Sequence, residues 1–119
     1  MPLYGKNYMN DKESCLYFRK EVPLTTTYES GKTYWISGTN QKDKKAYNHP
    51  TIKPEWIINF LIHNSSKEGD VVLDCFIGSG TTAVCAKRLN RRYIGVEMDP
   101  DYHNTAVSRV NDLSLSKQY

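Results

Sequence analysis

The strongest constraint on the fold is a glycine loop between an apolar strand and a helix. Residues 71–73 (VVL) form a short apolar run typical of a buried parallel strand, and residues 74–82 (DCFIGSGTT) follow it. Gly78 and Gly80 can adopt backbone angles that other residues resist, and they have no side chain to keep a ligand away. The helical pattern begins at Thr81, where free backbone N–H groups and the helix dipole favour an anionic group. The sequence therefore predicts a strand, loop and helix that bring the backbone close to a ligand.

Regular patterns on either side of the loop predict an α/β chain. Residues 54–64 have apolar positions at helical spacing with a proline in the first turn, and residues 81–89 predict a second helix. Residues 92–97 (RYIGVE) predict another strand, and Asp99-Pro100 opens a last helix. Four apolar residues are predicted to share one face of that helix: Tyr102, Ala106, Val107 and Val110. The order is helix, strand, helix, strand, helix, which is one βαβ unit with flanking helices.

The first 48 residues differ in character from the rest. Residues 22–37 are rich in Thr and Tyr around a Ser-Gly pair, and they predict two short strands joined by a turn. Residues 38–48 are polar and predict a loop. We therefore divide the chain into a basic, tyrosine-rich segment with some β structure at 1–48 and an α/β segment at 49–119.

Positive charge is concentrated in the first part of the chain. Residues 1–53 contain nine Lys or Arg and five Asp or Glu, together with six of the nine tyrosines. Residues 54–119 contain seven basic and eight acidic residues. A basic segment with interspersed tyrosines suits a nucleic-acid backbone. A solvated surface is the alternative, and on charge alone it is the favoured interpretation.

Length and composition exclude several classes of protein. A chain of 119 residues is expected to form one domain. It has no run of about 18 apolar residues that predicts a transmembrane helix, and its first residues lack the apolar core of a signal peptide. We therefore expect a cytoplasmic protein with no membrane partner. Three cysteines without a C-x-x-C pair, and scattered histidines, favour neither a disulfide framework nor a metal site.

Two kinds of nucleotide-like ligand remain open for the glycine loop. A phosphate-binding loop of the Walker type requires a lysine after the last glycine, and none follows Gly80. A dinucleotide site prefers a third glycine where this chain has the tolerated Ala83. Glu97, at the end of the second strand, is placed to accept hydrogen bonds from ribose hydroxyls, and both nicotinamide dinucleotides and S-adenosylmethionine have such a ribose. The structural alternative is that Asp74 caps a helix and Glu97 is solvated.

Two segments, taken together, resemble one enzyme family. Residues 49–62 (HPTIKPEWIINFLI) are similar to its HPTxKP segment. Residues 74–110 are similar to its DxFxGSGTT loop, the following strand that ends in Glu, and its closing Tyr-x-x-x-Ala helix. The family is the S-adenosylmethionine-dependent DNA amino-methyltransferases, in the permuted subgroup whose cofactor half is C-terminal. The resemblance implies a partial Rossmann-like methyltransferase domain.

The resemblance also implies ten cofactor-binding residues. The turn around the methionine part of S-adenosylmethionine is formed by Asp74, Phe76, Gly78 and Gly80. The carboxylate end of the cofactor is supported by Thr81 and Thr82, and its ribose hydroxyls are bound by Glu97. The opposite side is approached by His49, Thr51 and Lys53, of which Lys53 is the expected partner of the carboxylate.

The catalytic motif of the family is absent from this sequence. That motif is an acidic, Asn or Ser residue followed by Pro-Pro and an aromatic, and it holds the extruded base by its amino group and its ring face. The prolines here stand at positions 2, 23, 50, 54 and 100, and none is adjacent to another. We therefore name no catalytic residue. The resemblance implies a cofactor-binding portion of an enzyme that methylates adenine N6 or cytosine N4, inactive alone; the alternative is a non-catalytic remnant that binds cofactor or DNA.

The small number of predicted strands leads us to expect a partner for the sheet. The family sheet has about seven strands, whereas this sequence predicts two clear ones. Strands as apolar as residues 71–73 and 93–96 require neighbours along their edges. We expect self-association or pairing with a second chain that carries the catalytic half, and contact with DNA through residues 1–53.

Overall fold

The computed structural model describes residues 13–18, 20, 31, 34–38, 40–48 and 51–115. Within these residues the chain forms four helices and two strands. The elements, in chain order, are α1 (Gln41–Ala46), α2 (Glu55–Ser65), β1 (Val71–Asp74), α3 (Thr81–Arg88), β2 (Arg92–Gly95) and α4 (Pro100–Leu115). The helix–strand–helix–strand–helix order predicted for the second segment is confirmed.

The two strands pair in parallel, with α3 as the connection between them. The register places Val71 opposite Arg92 and Leu73 opposite Ile94. Because both strands run in the same direction, their carboxyl ends meet at one edge of the sheet. The residues that follow the strands therefore lie side by side, and the glycine loop occupies this edge.

The central element of the fold is α3, which packs between α2 and α4. Ala83 and Val84 are buried with Val110 of α4, and Cys85 and Ala86 are buried with Ile62 of α2. The small Ala and Cys side chains allow the neighbouring helices to approach closely, and the half-buried Val72 of the sheet packs against the second of these clusters. Since α3 begins directly after the loop, the core fixes the position of the loop.

The ends of the helices show why the elements stop where they do. At the C-terminus of α3, Asn90 adopts a left-handed φ of 58°. The amide of Arg91 then donates to the Ala86 carbonyl at 2.8 Å and that of Asn90 to the Lys87 carbonyl at 3.2 Å, which is the Schellman pattern. At the start of α4, the Asp99 carboxylate accepts the Asp101 amide at 2.9 Å, satisfying one of the free first-turn amides.

The structure differs from the predictions mainly before residue 54. Residues 41–46 (QKDKKA) form a helix where we predict a loop, since good helix formers combine with Asp43 in the first turn and two lysines in the last. No residue of this helix is buried, so there was no apolar face to detect. Residues 31 and 34–38 are not in a strand, and the rest of the predicted hairpin lies outside the described residues. Among the described helices, none has the length and apolarity needed to cross a membrane.

Candidate functional site

Asp74, the last residue of β1, holds the first half of the glycine loop. Its Oδ1 accepts the backbone amide of Phe76 at 3.0 Å, and its Oδ2 accepts the hydroxyl of Thr82 at 2.6 Å. One carboxylate thus connects the end of the strand to the beginning of α3. The Phe76 ring between them is 91% exposed, so its apolar face is open to a ligand.

The two glycines of the loop both adopt left-handed backbone angles. Gly78 has a φ of 54° and Gly80 has a φ of 87°, a region that costs a residue with a Cβ about 1–2 kcal/mol. Gly80 also lies against α4, because a Cβ at this position would be 2.7 Å from Ala106 Cβ and 2.8 Å from Ala106 Cα. The turn therefore requires glycine at position 80 for two independent reasons.

Glu97 connects the end of β2 to the same loop. Its Oε2 accepts the amide of Gly78 at 2.8 Å, and its Oε1 accepts the amides of Met98 and Asp99, both at 2.9 Å. The pKa of Glu97 lies below its ordinary value, mainly because its carboxylate accepts the Asp99 amide. The bonds from Gly78 and Met98 lower the pKa further, whereas partial desolvation raises it. A carboxylate offers about four acceptor positions, so Glu97 retains capacity for a further donor.

The start of α3 supplies hydrogen-bond donors through its backbone. No side chain caps this helix, and its first amides have no acceptor within the helix. The hydroxyls of Thr81 and Thr82 have protein partners instead, since Thr82 donates to Asp74 and Thr81 accepts from Arg109 at 3.3 Å. Any support that Thr82 gives to an anionic group therefore comes from its amide, whereas the Thr81 hydroxyl keeps its own proton to donate.

The HPTIKP segment is described only in part. His49 lies outside the described residues, whereas Thr51 and Lys53 precede α2. Ile52 between them is buried and anchors the segment to the protein. Lys53 Nζ forms an ion pair with Glu13 at 2.6 Å, and both side chains are exposed. An exposed pair contributes about 0–1 kcal/mol, so Lys53 can exchange Glu13 for another carboxylate at little cost.

Arg109, which is not among the predicted site residues, contacts the glycine loop. Its side chain is 4% exposed and its guanidinium donates to the Ser79 carbonyl, in the middle of the loop, at 2.6 Å. It also pairs with Glu55 at 2.9 Å. The predicted buried face of α4 is corrected accordingly, because Arg109 is buried whereas Val107 is exposed. A charged residue three positions after Ala106, on the buried face of an amphipathic helix, is the signal that would have identified it.

Together these features suit a ligand with several different parts. Hydroxyl or ammonium groups suit the carboxylates, an apolar surface suits Phe76, and an anionic group suits the start of α3. No group of three or more potential metal ligands occurs in the described part of the chain. The geometry thus agrees with an organic cofactor that has a ribose and a carboxylate.

Comparisons with known proteins identify the family. Residues 4–108 match the model of a family described as DNA methylase. The chain is 42% identical over 106 residues to the Type II methyltransferase M2.LlaDCHI of Lactococcus lactis subsp. cremoris, which covers 86% of this chain and 39% of that protein. It is 41% identical over 105 residues to M2.DpnII of Streptococcus pneumoniae, with 85% and 38% covered. The chain therefore spans about two fifths of the length of these relatives.

Solved structures give the same result. The chain superposes on the crystal structure of an M1.HpyAVI–SAM complex with a TM-score of 0.55 and 37% identity, covering 63% of this chain and 34% of that one. The cytosine-N4-specific PvuII DNA methyltransferase gives a TM-score of 0.51 and 31% identity, covering 62% and 27%. These neighbours confirm a partial Rossmann-like α/β domain. With the family match over most of its length, the chain belongs to the DNA methylase family, the S-adenosylmethionine-dependent amino-methyltransferases that its glycine loop and HPTIKP segment resemble.

Proposed function

We propose that this chain is the cofactor-binding portion of a site-specific DNA amino-methyltransferase and that its glycine loop binds S-adenosylmethionine. One observation carries the proposal. The two strand-end carboxylates both bond to backbone amides of the same loop: Asp74 accepts the amide of Phe76, whose ring is exposed, and Glu97 accepts the amide of Gly78 two residues later. This arrangement presents acidic, aromatic and amide groups along one edge of the sheet.

Different residues are expected to bind different parts of the cofactor. The spare acceptor capacity of Glu97 suits the ribose hydroxyls, and the open amides at the start of α3 suit the methionine carboxylate. Asp74 keeps the loop closed against β1 by accepting one bond on each oxygen, and its remaining acceptor positions suit a donor on the methionine part of the cofactor. His49, Thr51 and Lys53 would complete the site from the opposite side, with Lys53 released from its exposed pair with Glu13.

The reaction requires an acceptor site that this sequence lacks. The cofactor supplies a methyl group to the amino nitrogen of adenine or cytosine, and in the family a Pro-Pro motif holds that base. No two prolines are adjacent among the 119 residues. We propose that the base pocket is supplied by a part of the enzyme that carries this motif outside these 119 residues, such as a second chain, and that the basic residues of segment 1–53 contact the DNA backbone. The names of the Type II relatives suggest a role in restriction and modification.

Calorimetric titration of the 119-residue chain tests the cofactor proposal. S-adenosylmethionine, or its demethylated product, is expected to bind at micromolar concentration, whereas NAD is not. Phe76→Ala is expected to weaken binding about tenfold through loss of an aromatic contact. Because the ring is exposed, folding stability should not change. Val107→Ala, which removes an exposed apolar side chain from α4, is the matched control. Binding of NAD instead would overturn the proposal.

A non-catalytic remnant that binds cofactor or DNA is the second candidate function. Both candidates bind the cofactor, so the titration does not separate them. Transfer of a tritiated methyl group to unmethylated DNA does, when the chain is assayed alone and with a partner that carries the motif. Activity restored by the partner supports the enzyme portion, whereas a cofactor-bound but inactive pair supports the remnant. Strong methyl transfer by the chain alone would contradict the expectation that the Pro-Pro motif is needed for activity.

A further inference from the structure

The buried guanidinium of Arg109 contacts four separate parts of the protein. Its Nη1 donates to the Ser79 carbonyl at 2.6 Å and lies 3.3 Å from the hydroxyls of Ser79 and Thr81. Its Nη2 donates to Glu55 Oε1 at 2.9 Å. The guanidinium carbon lies 4.1 Å from the centre of the Tyr47 ring, within cation–π distance. Such a charge is costly to bury unless these partners compensate for it.

These contacts join the two segments that the proposed function places around the cofactor. Ser79 lies between the two glycines of the loop, and Glu55 directly follows the HPTIKP residues at the start of α2. Glycines on both sides give the backbone at Ser79 unusual freedom, so the loop gains little order from its own sequence. The bond from Arg109 to the Ser79 carbonyl restricts that freedom. Its pair with Glu55 fixes the loop relative to the opposite segment.

The planar fork of arginine is required for this double contact. One terminal nitrogen bonds to the loop while the other bonds to Glu55, in fixed directions. A lysine at position 109 would place one point charge there and could satisfy one direction well, but not both. Glu55 also pairs with Arg88 on the exposed side, so removing Arg109 does not leave that carboxylate without a partner.

We propose that Arg109, held by Glu55, is a positioning residue that sets the conformation of the cofactor loop. The inference rests on the proposed function, in which this loop binds S-adenosylmethionine. Arg109 itself does not touch the cofactor in this scheme. It acts through the Ser79 carbonyl and the Thr81 hydroxyl.

Two measurements on the 119-residue chain and its variants test the inference. The first is hydrogen exchange, without cofactor, of two loop amides that donate hydrogen bonds, those of Gly78 and Gly80. The second is titration with S-adenosylmethionine at a temperature where every variant is folded. Arg109→Met is expected to accelerate loop exchange about tenfold and to weaken binding by a similar factor. Arg109→Lys should be intermediate in both. The matched control, Arg88→Gln, removes the other partner of Glu55 without touching the loop, and it should change neither.

Each outcome decides a separate question. Unchanged loop exchange in Arg109→Met overturns the inference, whatever the titration gives. Equal acceleration in the loop and at β1 and β2 also overturns it, because Arg109 would then stabilise the whole fold rather than the loop. If Arg109→Met does not fold, Arg109→Lys carries both measurements. A wild-type chain that binds no S-adenosylmethionine contradicts the proposed function, while loop exchange still decides whether Arg109 orders the loop.

Discussion

The carboxylate of Glu97 accepts three backbone amides, one from the glycine loop and two from the residues that directly follow it. These bonds, led by that from Asp99, lower its pKa, so folding favours the ionised form. The stabilisation is fully present above the ordinary glutamate pKa of about 4.3 and is lost as the pH falls through the lower pKa of the folded state. Above that window the contribution does not change with pH.

Replacing Glu97 by Gln tests this contribution. A Gln side chain has one carbonyl oxygen and an amide group that repels one of the backbone donors, so Glu97→Gln should unfold at lower urea concentration than wild type at pH 7. The gap between the two midpoints should shrink as the pH falls from about 5 to about 3. Glu68→Gln, at an exposed position in the turn before β1, is the control and should leave the midpoint unchanged. A gap of the same size at pH 3 and pH 7 would contradict the assignment.

The three cysteines differ in reactivity because of where they lie. Cys15 and Cys75 are exposed, whereas Cys85 is fully buried in α3. Burial, with the nearby charge of Glu55, raises the pKa of Cys85 to about 11, so at pH 8 it is almost entirely a thiol. A disulfide reagent should label two thiols rapidly and the third only after unfolding. Cys75→Ser should remove one fast reaction and leave the slow one; three equal rates in wild type would show that α3 is not packed as described.

At the scale of elements, the contact of the glycine loop with α4 controls stability. Gly80→Ala combines backbone strain with a clash against Ala106, whereas Gly69→Ala has nearly the same φ, 83°, and no atom within 4 Å of the new Cβ. We expect Gly69→Ala to lower the free energy of unfolding by about 1 kcal/mol and Gly80→Ala by about 3 kcal/mol. Urea denaturation of both variants measures the difference. Equal losses would mean that close packing between the loop and α4 contributes nothing.

An element could be predicted where neighbouring residues in the sequence form a recognisable pattern, and could not where it depends on distant contacts. The order around the loop followed from local patterns, since an apolar run, closely spaced glycines and a helical period each restrict the backbone. By contrast, α1 has no buried side chain, so periodicity carried no information about it. Arg109 depends on contacts with residues 30 and 54 positions away in sequence, and no local pattern reports them. The bond from Thr82 to Asp74 and the ion pair of Lys53 with Glu13 could not be predicted either, because no local pattern indicates them.

At the scale of the whole molecule, the sheet has one covered and one uncovered face. Val72 points towards α3 and packs in the core. The alternate positions point the opposite way, and four apolar side chains in or directly after the strands are 47–61% exposed: Val71, Leu73, Ile94 and Val96. Leu73 and Ile94 are direct cross-strand neighbours, so the exposed side chains form a continuous patch. A two-stranded sheet with an open apolar face is a surface that another chain would cover.

We therefore expect the isolated chain to self-associate through this face, and the patch provides a direct test. Size-exclusion chromatography with light scattering at micromolar concentration should show a mass above the 13.7 kDa of one chain. Leu73→Lys and Ile94→Lys place charges in the centre of the patch and should shift the chain towards monomer, because burying an unpaired ammonium is costly. Val107→Lys, on the exposed face of α4, adds the same charge elsewhere and should leave association unchanged. A compact wild-type monomer, or equal effects of all three lysines, would show that the open sheet face does not drive association.

If a partner with the Pro-Pro motif occupies this face instead, it should convert the self-associated chain into a one-to-one complex, and Leu73→Lys should weaken that complex as well.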